Sequence, residues 1–114
     1  MGATAVVVSN HGGRQLDGAA AAIEVLPEIA KAVGAQMDVI LDGGIRRGVH
    51  VLKSLALGAR ACSVGPAYLY GWAAGGESGA KKALDILRTE LIRAMQLSGC
   101  IDIVDSDSTL VRRF

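Results

Sequence analysis

Three short apolar runs punctuate the chain, and each ends in a turn marked by glycine. Thr4-Ala5-Val6-Val7-Val8-Ser9 leads into Asn10-His11-Gly12-Gly13, Met37-Asp38-Val39-Ile40-Leu41 into Asp42-Gly43-Gly44, and Ala61-Cys62-Ser63-Val64 into Gly65-Pro66. Runs this short, rich in Val and Ile and not strictly alternating, suit strands buried on both faces, as in parallel sheets. Between them the apolar period lengthens to three and four. From Ala19 to Val33, Ile23, Leu26, Ile29, Ala30 and Val33 form one stripe. Pro27 lacks the N–H a helix interior needs, which predicts two short helices with Pro27 in the first turn of the second. Gly34 supplies the stop. From Gly48 to Leu57, Val51, Leu52, Leu55 and Ala56 make a second stripe, closed by Gly58. A short helix is expected over Ala67 to Ala74. A longer one follows from about Glu77 to Leu97, with Ala80, Leu84, Leu87, Leu91 and Met95 on one face and Gly99 at its end. The tail from Ile101 to Phe114 has weak periodicity and reads as a loop or a single turn.

The order β-α-β-α-β-α, with connections of helical length, requires parallel strand pairing. Either an open doubly wound sheet or part of a closed barrel accommodates it. Three strands make a poor free-standing sheet, because both outer edges lack partners and the apolar faces lack half their cover. The chain therefore reads as one partial domain over residues 1–114, a segment of a larger unit with Met1 set in front of an internal strand.

Composition narrows the function classes. Hydrophobic residues make up 51% of the 114 and charged residues 20%, enough for a core and without a disorder signature. A net charge of +1 and 4% aromatics argue against a nucleic-acid partner, which needs a basic face or stacking platforms. Cys62 and Cys100 have neither metal-ligand spacing nor the density of a disulfide scaffold, so reduced thiols are expected. No secretory leader and no apolar run approaching the ~20 residues of a membrane span are visible. A soluble, cytoplasmic chain is the expectation.

The chemistry concentrates at the glycine-marked strand ends. The first reads Ser9-Asn10-His11-Gly12-Gly13-Arg14-Gln15-Leu16-Asp17-Gly18, placed where βα loops build active sites. Imidazole titrates near neutrality and can accept a proton, and a guanidinium three residues on suits a carboxylate. His11 and Arg14 thus form a candidate base and anion clamp; the bland alternative is a glycine turn with solvated polar residues. In the second cluster, Asp42-Gly43-Gly44-Ile45-Arg46-Arg47-Gly48, glycines let backbone N–H groups reach a phosphate at a helix N-terminus, with Arg46 adding charge. It is neither a dinucleotide fingerprint nor a Walker motif. Its alternative is a tight turn with Asp42 as the helix cap. Gly65-Pro66, at the third strand end, would complete a phosphate cup. His50 reads as exposed or satisfied within its helix. Tyr68, Tyr70 and Trp72 are expected to pack the short helix against a rim. Lys81, Lys82, Arg88 and Arg93, interspersed with Asp85 and Glu90, read as a solvated face.

The strings "SNHGGRQLDG", "LDGGIRRGVHVLKSLALGA" and "YGWAAGGESGAKKALDILRTELIRAMQLSGC" closely resemble the C-terminal part of the FMN-dependent α-hydroxy-acid dehydrogenases and oxidases. The resemblance covers nearly the whole chain. It implies a (β/α)8 barrel to which this segment gives about strands six to eight. It also implies oxidation of a 2-hydroxy acid to a 2-oxo acid, with His11 as catalytic base and Arg14 holding the substrate carboxylate. Asp42, Gly43, Gly44, Arg46 and Gly65 would bind FMN. Two departures stand out. Pro66 occupies the position after Gly65 where the family usually has Arg, a loss of about 1–3 kcal/mol on the scale of one charge-assisted hydrogen bond. The first five strands are missing as well, and with them the aspartate that would orient the histidine. The rival expectations are a non-catalytic half-barrel that binds phosphate or flavin weakly or self-associates, as a homo-oligomer or in dependence on the missing part, and another FMN- or phosphate-binding barrel such as an isomerase or a nucleotide dehydrogenase.

Overall fold

The computed structural model describes residues 2–112. Met1, Arg113 and Phe114, which bound stretches read from the sequence, lie outside the described residues. Strands β1 (Ala5–Val8), β2 (Asp38–Asp42) and β3 (Ala61–Ser63) alternate with helices α1 (Ala22–Val33), α2 (Gly48–Ala56) and α3 (Pro66–Ser98). The three strands form one parallel sheet in the order β1-β2-β3. Val8 lies opposite Leu41, and Leu41 opposite Cys62. Short 3-10 turns follow β1 at His11–Gly13 and shape the tail at Ile103–Asp105 and Ser108–Leu110. Each tail turn is capped by an aspartate, Asp102 and Asp107.

The core lies between the sheet and its helices. Val8, Val39 and Leu41 are buried and pack with Leu26 of α1, which is fully buried, and with Ile45 and Ala59. Burying a side chain such as Leu26 contributes about 1.5–3 kcal/mol. The opposite face lacks cover, as expected of three strands on their own. Val7 is 56% exposed and its register partner Ile40 is only half-buried, so the strands are covered on one side. The reason is geometric: the helices of these connections cover one face of the parallel sheet, and no described element packs on the other.

Helix α1 departs from expectation. It is one helix containing Pro27, not two. Pro27 sits only five residues after the first helical residue, Ala22, so the single bond it removes falls near an end where backbone groups are already unpaired. Buried Ala22 and Leu26 hold the turn in place. In α3 the expected break appears at Gly75 and Gly76, whose backbone leaves helical geometry, dividing it into 66–74 and 77–98. Both cysteines are free, and burial pushes the Cys62 thiol up, as suits a packing group and not a nucleophile.

Helices α2 and α3 meet at Gly48, which is buried. A Cβ there would overlap the Leu91 backbone nitrogen and come within 2.5 Å of the Glu90 carbonyl carbon. Neither helix backbone can yield locally. Gly48→Ala is therefore expected to destabilise the fold by about 1–3 kcal/mol, the scale of overpacking. Urea denaturation monitored by circular dichroism measures it, and an unchanged midpoint would show that α2 and α3 separate freely.

Candidate active site

Because the strands are parallel, their C-terminal ends open on the same side. The three exits meet in a cavity of about 460 Å³, within the ~300–1,000 Å³ typical of small-molecule sites. Its lining includes each residue assigned a catalytic, substrate-binding or cofactor-binding role from the sequence: His11, Arg14, Asp42, Gly43, Gly44, Arg46 and Gly65. Ser63, Pro66 and Leu69 complete one wall.

His11 is held in an uncommon backbone conformation. Its φ of 54° is left-handed, and it is the one non-glycine with positive φ among the described residues. Such a residue costs on the order of 1–3 kcal/mol unless its surroundings impose it. They do so here through Ser9, whose hydroxyl accepts the His11 N–H at 3.0 Å and donates to Asp42 Oδ2 at 2.6 Å. The Gly13 N–H bonds to the Asn10 carbonyl at 3.0 Å, and Asn10 Nδ2 donates to the Ala20 carbonyl. Ser9 thus ties the histidine turn to the end of β2. Nothing in the sequence pattern marked it. Gln15 was also missed: its Nε2 lies 3.2 Å from His11 Nδ1. With the Gln15 amide rotated, its oxygen accepts from Nδ1–H and leaves Nε2 as the free base; the two amide placements are nearly equivalent in shape. Spacing of four residues was the available signal.

Electrostatics favour an anion. Among the described residues Arg14 and Arg46 make no ion pair, whereas Arg47 pairs with Glu90 at 2.7 Å and Arg60 reaches Asp38 at 4.0 Å. Two arginines without an ion pair therefore line one cavity. A Cβ on Gly44 or Gly65 would meet no atom within 4 Å, so bare backbone forms the wall there and a phosphate can approach it closely. This donor set fits a flavin phosphate.

The helix N-terminus, in contrast, is taken. The Gly48 N–H donates to Glu90 Oε2 at 2.9 Å, so a carboxylate from α3 occupies the first turn of α2. Phosphate donors must come from the loop before it. Asp42 is not the cap either, since Arg47 precedes α2 without a side-chain cap and Asp42 is engaged by Ser9. Glu90, read as part of a solvated face, is in fact the bridge between α3 and the loop. Its carboxyl is held below the ordinary glutamate range, first by the Gly48 N–H and then by Arg47. A depressed folded value means that its stabilisation is full above the unfolded pKa of about 4.3 and is lost as pH falls through the folded value. Thermal midpoints followed from pH 6 to 3 should fall more steeply in the native chain than in Glu90→Gln, which is less stable at neutral pH. Parallel curves would remove Glu90 from this role.

The remaining assignments divide. Lys81, Lys82, Arg88 and Arg93 are exposed as read. Tyr68, Tyr70 and Trp72 are 39%, 76% and 57% exposed on this three-stranded unit. His50 turns its ring towards Gly44 and Arg46.

The FMN-dependent dehydrogenase family model matches residues 1–113. The chain belongs to this family. FMN is the family's cofactor. An L-lactate oxidase from Nostoc sp. is 50% identical over 110 residues, covering 96% of this chain and 30% of that protein. A pre-mycofactocin synthase from Mycolicibacterium smegmatis is 55% identical over 104 residues, 91% of this chain and 26% of the relative. A solved structure of a soluble mutant of the membrane-associated (S)-mandelate dehydrogenase from Pseudomonas putida superposes with a TM-score of 0.94 at 42% identity, covering 99% of this chain and 32% of that one. The fold is thus a partial α/β unit of the barrel flavoenzyme type, and the chain spans about 30% of the length of the lactate oxidase. Among the described residues no helix is long and apolar enough to cross a membrane.

Proposed function

We propose that this FMN-dependent dehydrogenase segment supplies about strands six to eight, with their helices, to a (β/α)8 barrel that oxidises a 2-hydroxy acid to a 2-oxo acid. The observation that carries the reading is the convergence of His11, Arg14, Asp42, Gly43, Gly44, Arg46 and Gly65 in one cavity. Arg14 grips the substrate carboxylate through a planar pair of N–H donors. His11, fixed by Ser9 and flanked by Gln15, takes up a proton of the substrate at a ring nitrogen as the alcohol carbon is oxidised. Arg46 and the bare backbone at Gly44 and Gly65 hold the phosphate end of FMN, and Asp42 orients the turn through Ser9. Bound FMN supplies the two-electron acceptor.

The test is a chimera in which this chain replaces the matching part of (S)-mandelate dehydrogenase. The reading expects a yellow protein whose flavin bleaches anaerobically with lactate, glycolate or mandelate. A chimera that binds FMN and is bleached by none of the three overturns the substrate class.

A second reading, a non-catalytic half-barrel that self-associates, draws on the unpaired outer edges of β1 and β3 and the open face at Val7. Gel filtration and flavin absorbance of the 114-residue chain separate the two. A colourless oligomer supports self-association, and a yellow monomer overturns it.

A further inference from the structure

His50 lies in the first turn of α2 and lines a second, mainly apolar cavity behind the loop 43–46, with Ile23, Leu41, Ile45, Lys53 and Ser54. Gly43, Gly44 and Ile45 belong to the walls of both cavities, so this loop is a partition between His50 and the candidate active site. One nitrogen of the ring meets the partition twice. His50 Nδ1 is 3.3 Å from the Arg46 backbone nitrogen and 3.2 Å from the Gly44 carbonyl oxygen. These contacts are mutually exclusive in chemistry. An unprotonated Nδ1 accepts from Arg46 and only lies near Gly44; a protonated Nδ1 donates to Gly44 and leaves the Arg46 N–H without its acceptor.

We infer that His50 is a positioning residue for the 43–46 loop, and that protonation of Nδ1 exchanges its bond from the Arg46 N–H to the Gly44 carbonyl, freeing the Arg46 peptide to turn from the His50 side towards an anion in the active-site cavity. The occupant class is an oxyanion such as a phosphate group, the ligand that a loop of bare backbone and an unpaired Arg46 guanidinium accepts. The identification of that oxyanion with the FMN phosphate rests on the function proposed above; the exchange of hydrogen bonds does not. The charged groups around His50 are few. Lys53 shares its cavity on α2, Arg46 and Arg47 precede it, and Glu90 of α3 lies close enough to feel the imidazole charge while pairing with Arg47. From α1 the packed group is Ile23, and from β2 Leu41, neither of which ionises.

The chain has two histidines, so the ring signals are readily distinguished. Long-range ¹⁵N imidazole spectra of the full chain, recorded from pH 8 to 5, read the tautomer directly. The expected result is an unprotonated Nδ1 on His50 at pH 8 and an Arg46 amide resonance that shifts with the same midpoint as the ring. A His50 that already carries its proton on Nδ1 at pH 8, or an Arg46 amide indifferent to the ring, overturns the inference. Sulfate, whose charge is constant over this range, serves as the anion probe. In the mandelate dehydrogenase chimera, sulfate affinity should rise as pH falls, and this rise should be weaker in His50→Gln, whose amide does not titrate. Identical pH profiles for the two proteins overturn the role. Failure of the chimera to bind FMN would count against the proposed function and leave both of these readouts intact.

Discussion

In the completed barrel, His11→Asn lowers the rate of flavin reduction by about 10²–10⁴, the range a positioned acid–base group supplies. Asparagine is the informative replacement. It tolerates the left-handed backbone that His11 adopts at φ 54°, and so it removes the base without disturbing the turn. Alanine would confound lost chemistry with strain. The bond from the His11 N–H to Ser9 is a backbone contact and survives the change. FMN affinity should therefore stay within about threefold, because the side chain removed is not among those assigned to the phosphate. Stopped-flow reduction under anaerobic conditions gives the rate and a fluorescence titration gives the affinity. A rate within threefold of the unsubstituted chimera would place the base elsewhere, with Gln15 and Arg14 left as binding groups.

The elements that carry strong periodicity are legible in the amino-acid pattern alone. All three strands fall within a residue or two of their expected ends, and the break in α3 falls at the Gly75-Gly76 pair. The site is legible for a related reason: each chemical cluster directly follows a strand, and parallel strands bring such ends together whatever the loops do. What stays hidden depends on contacts between segments distant in sequence. Glu90 looks like one charge in a solvated series, and only the approach of α3 to Gly48 makes it the partner of Arg47 and the cap of α2. Ser9 looks like the end of a strand, yet its hydroxyl bridges to Asp42, 33 residues away. Pro27 misleads in the other direction. A local rule predicts a break, and the packing of Leu26 and Ala22 against the sheet outweighs one lost hydrogen bond near the helix start. The strands are apolar enough for cover on both faces, and the bare side at Val7 is what three strands on their own were expected to leave.

A lactate oxidase, a mandelate dehydrogenase and a pre-mycofactocin synthase match this segment at 42–55% identity, although their names give them differing activities. Under the function proposed above, Pro66, at the position where the family resemblance leads one to expect Arg, should alter cofactor binding before it alters substrate choice. It occupies the first position of α3, where a missing N–H is harmless, and it borders the cavity beside Gly65. Pro66→Arg should strengthen FMN binding about ten- to hundredfold, since a hydrogen bond to a charged group is worth about 1.5–3 kcal/mol. The helix loses little, because Pro at its first position is favourable but not required. Pro66→Met controls for length and apolar bulk and should leave affinity unchanged. The gain should shrink as salt is raised, because the added charge is open to solvent and screened over about 10 Å at 0.1 M. Equal affinities for Pro66→Arg and Pro66→Met would mean that the phosphate does not reach the third strand end. The anion would then be held by Arg46 and the 43–46 loop alone, and Gly65 would leave the set of cofactor-binding residues.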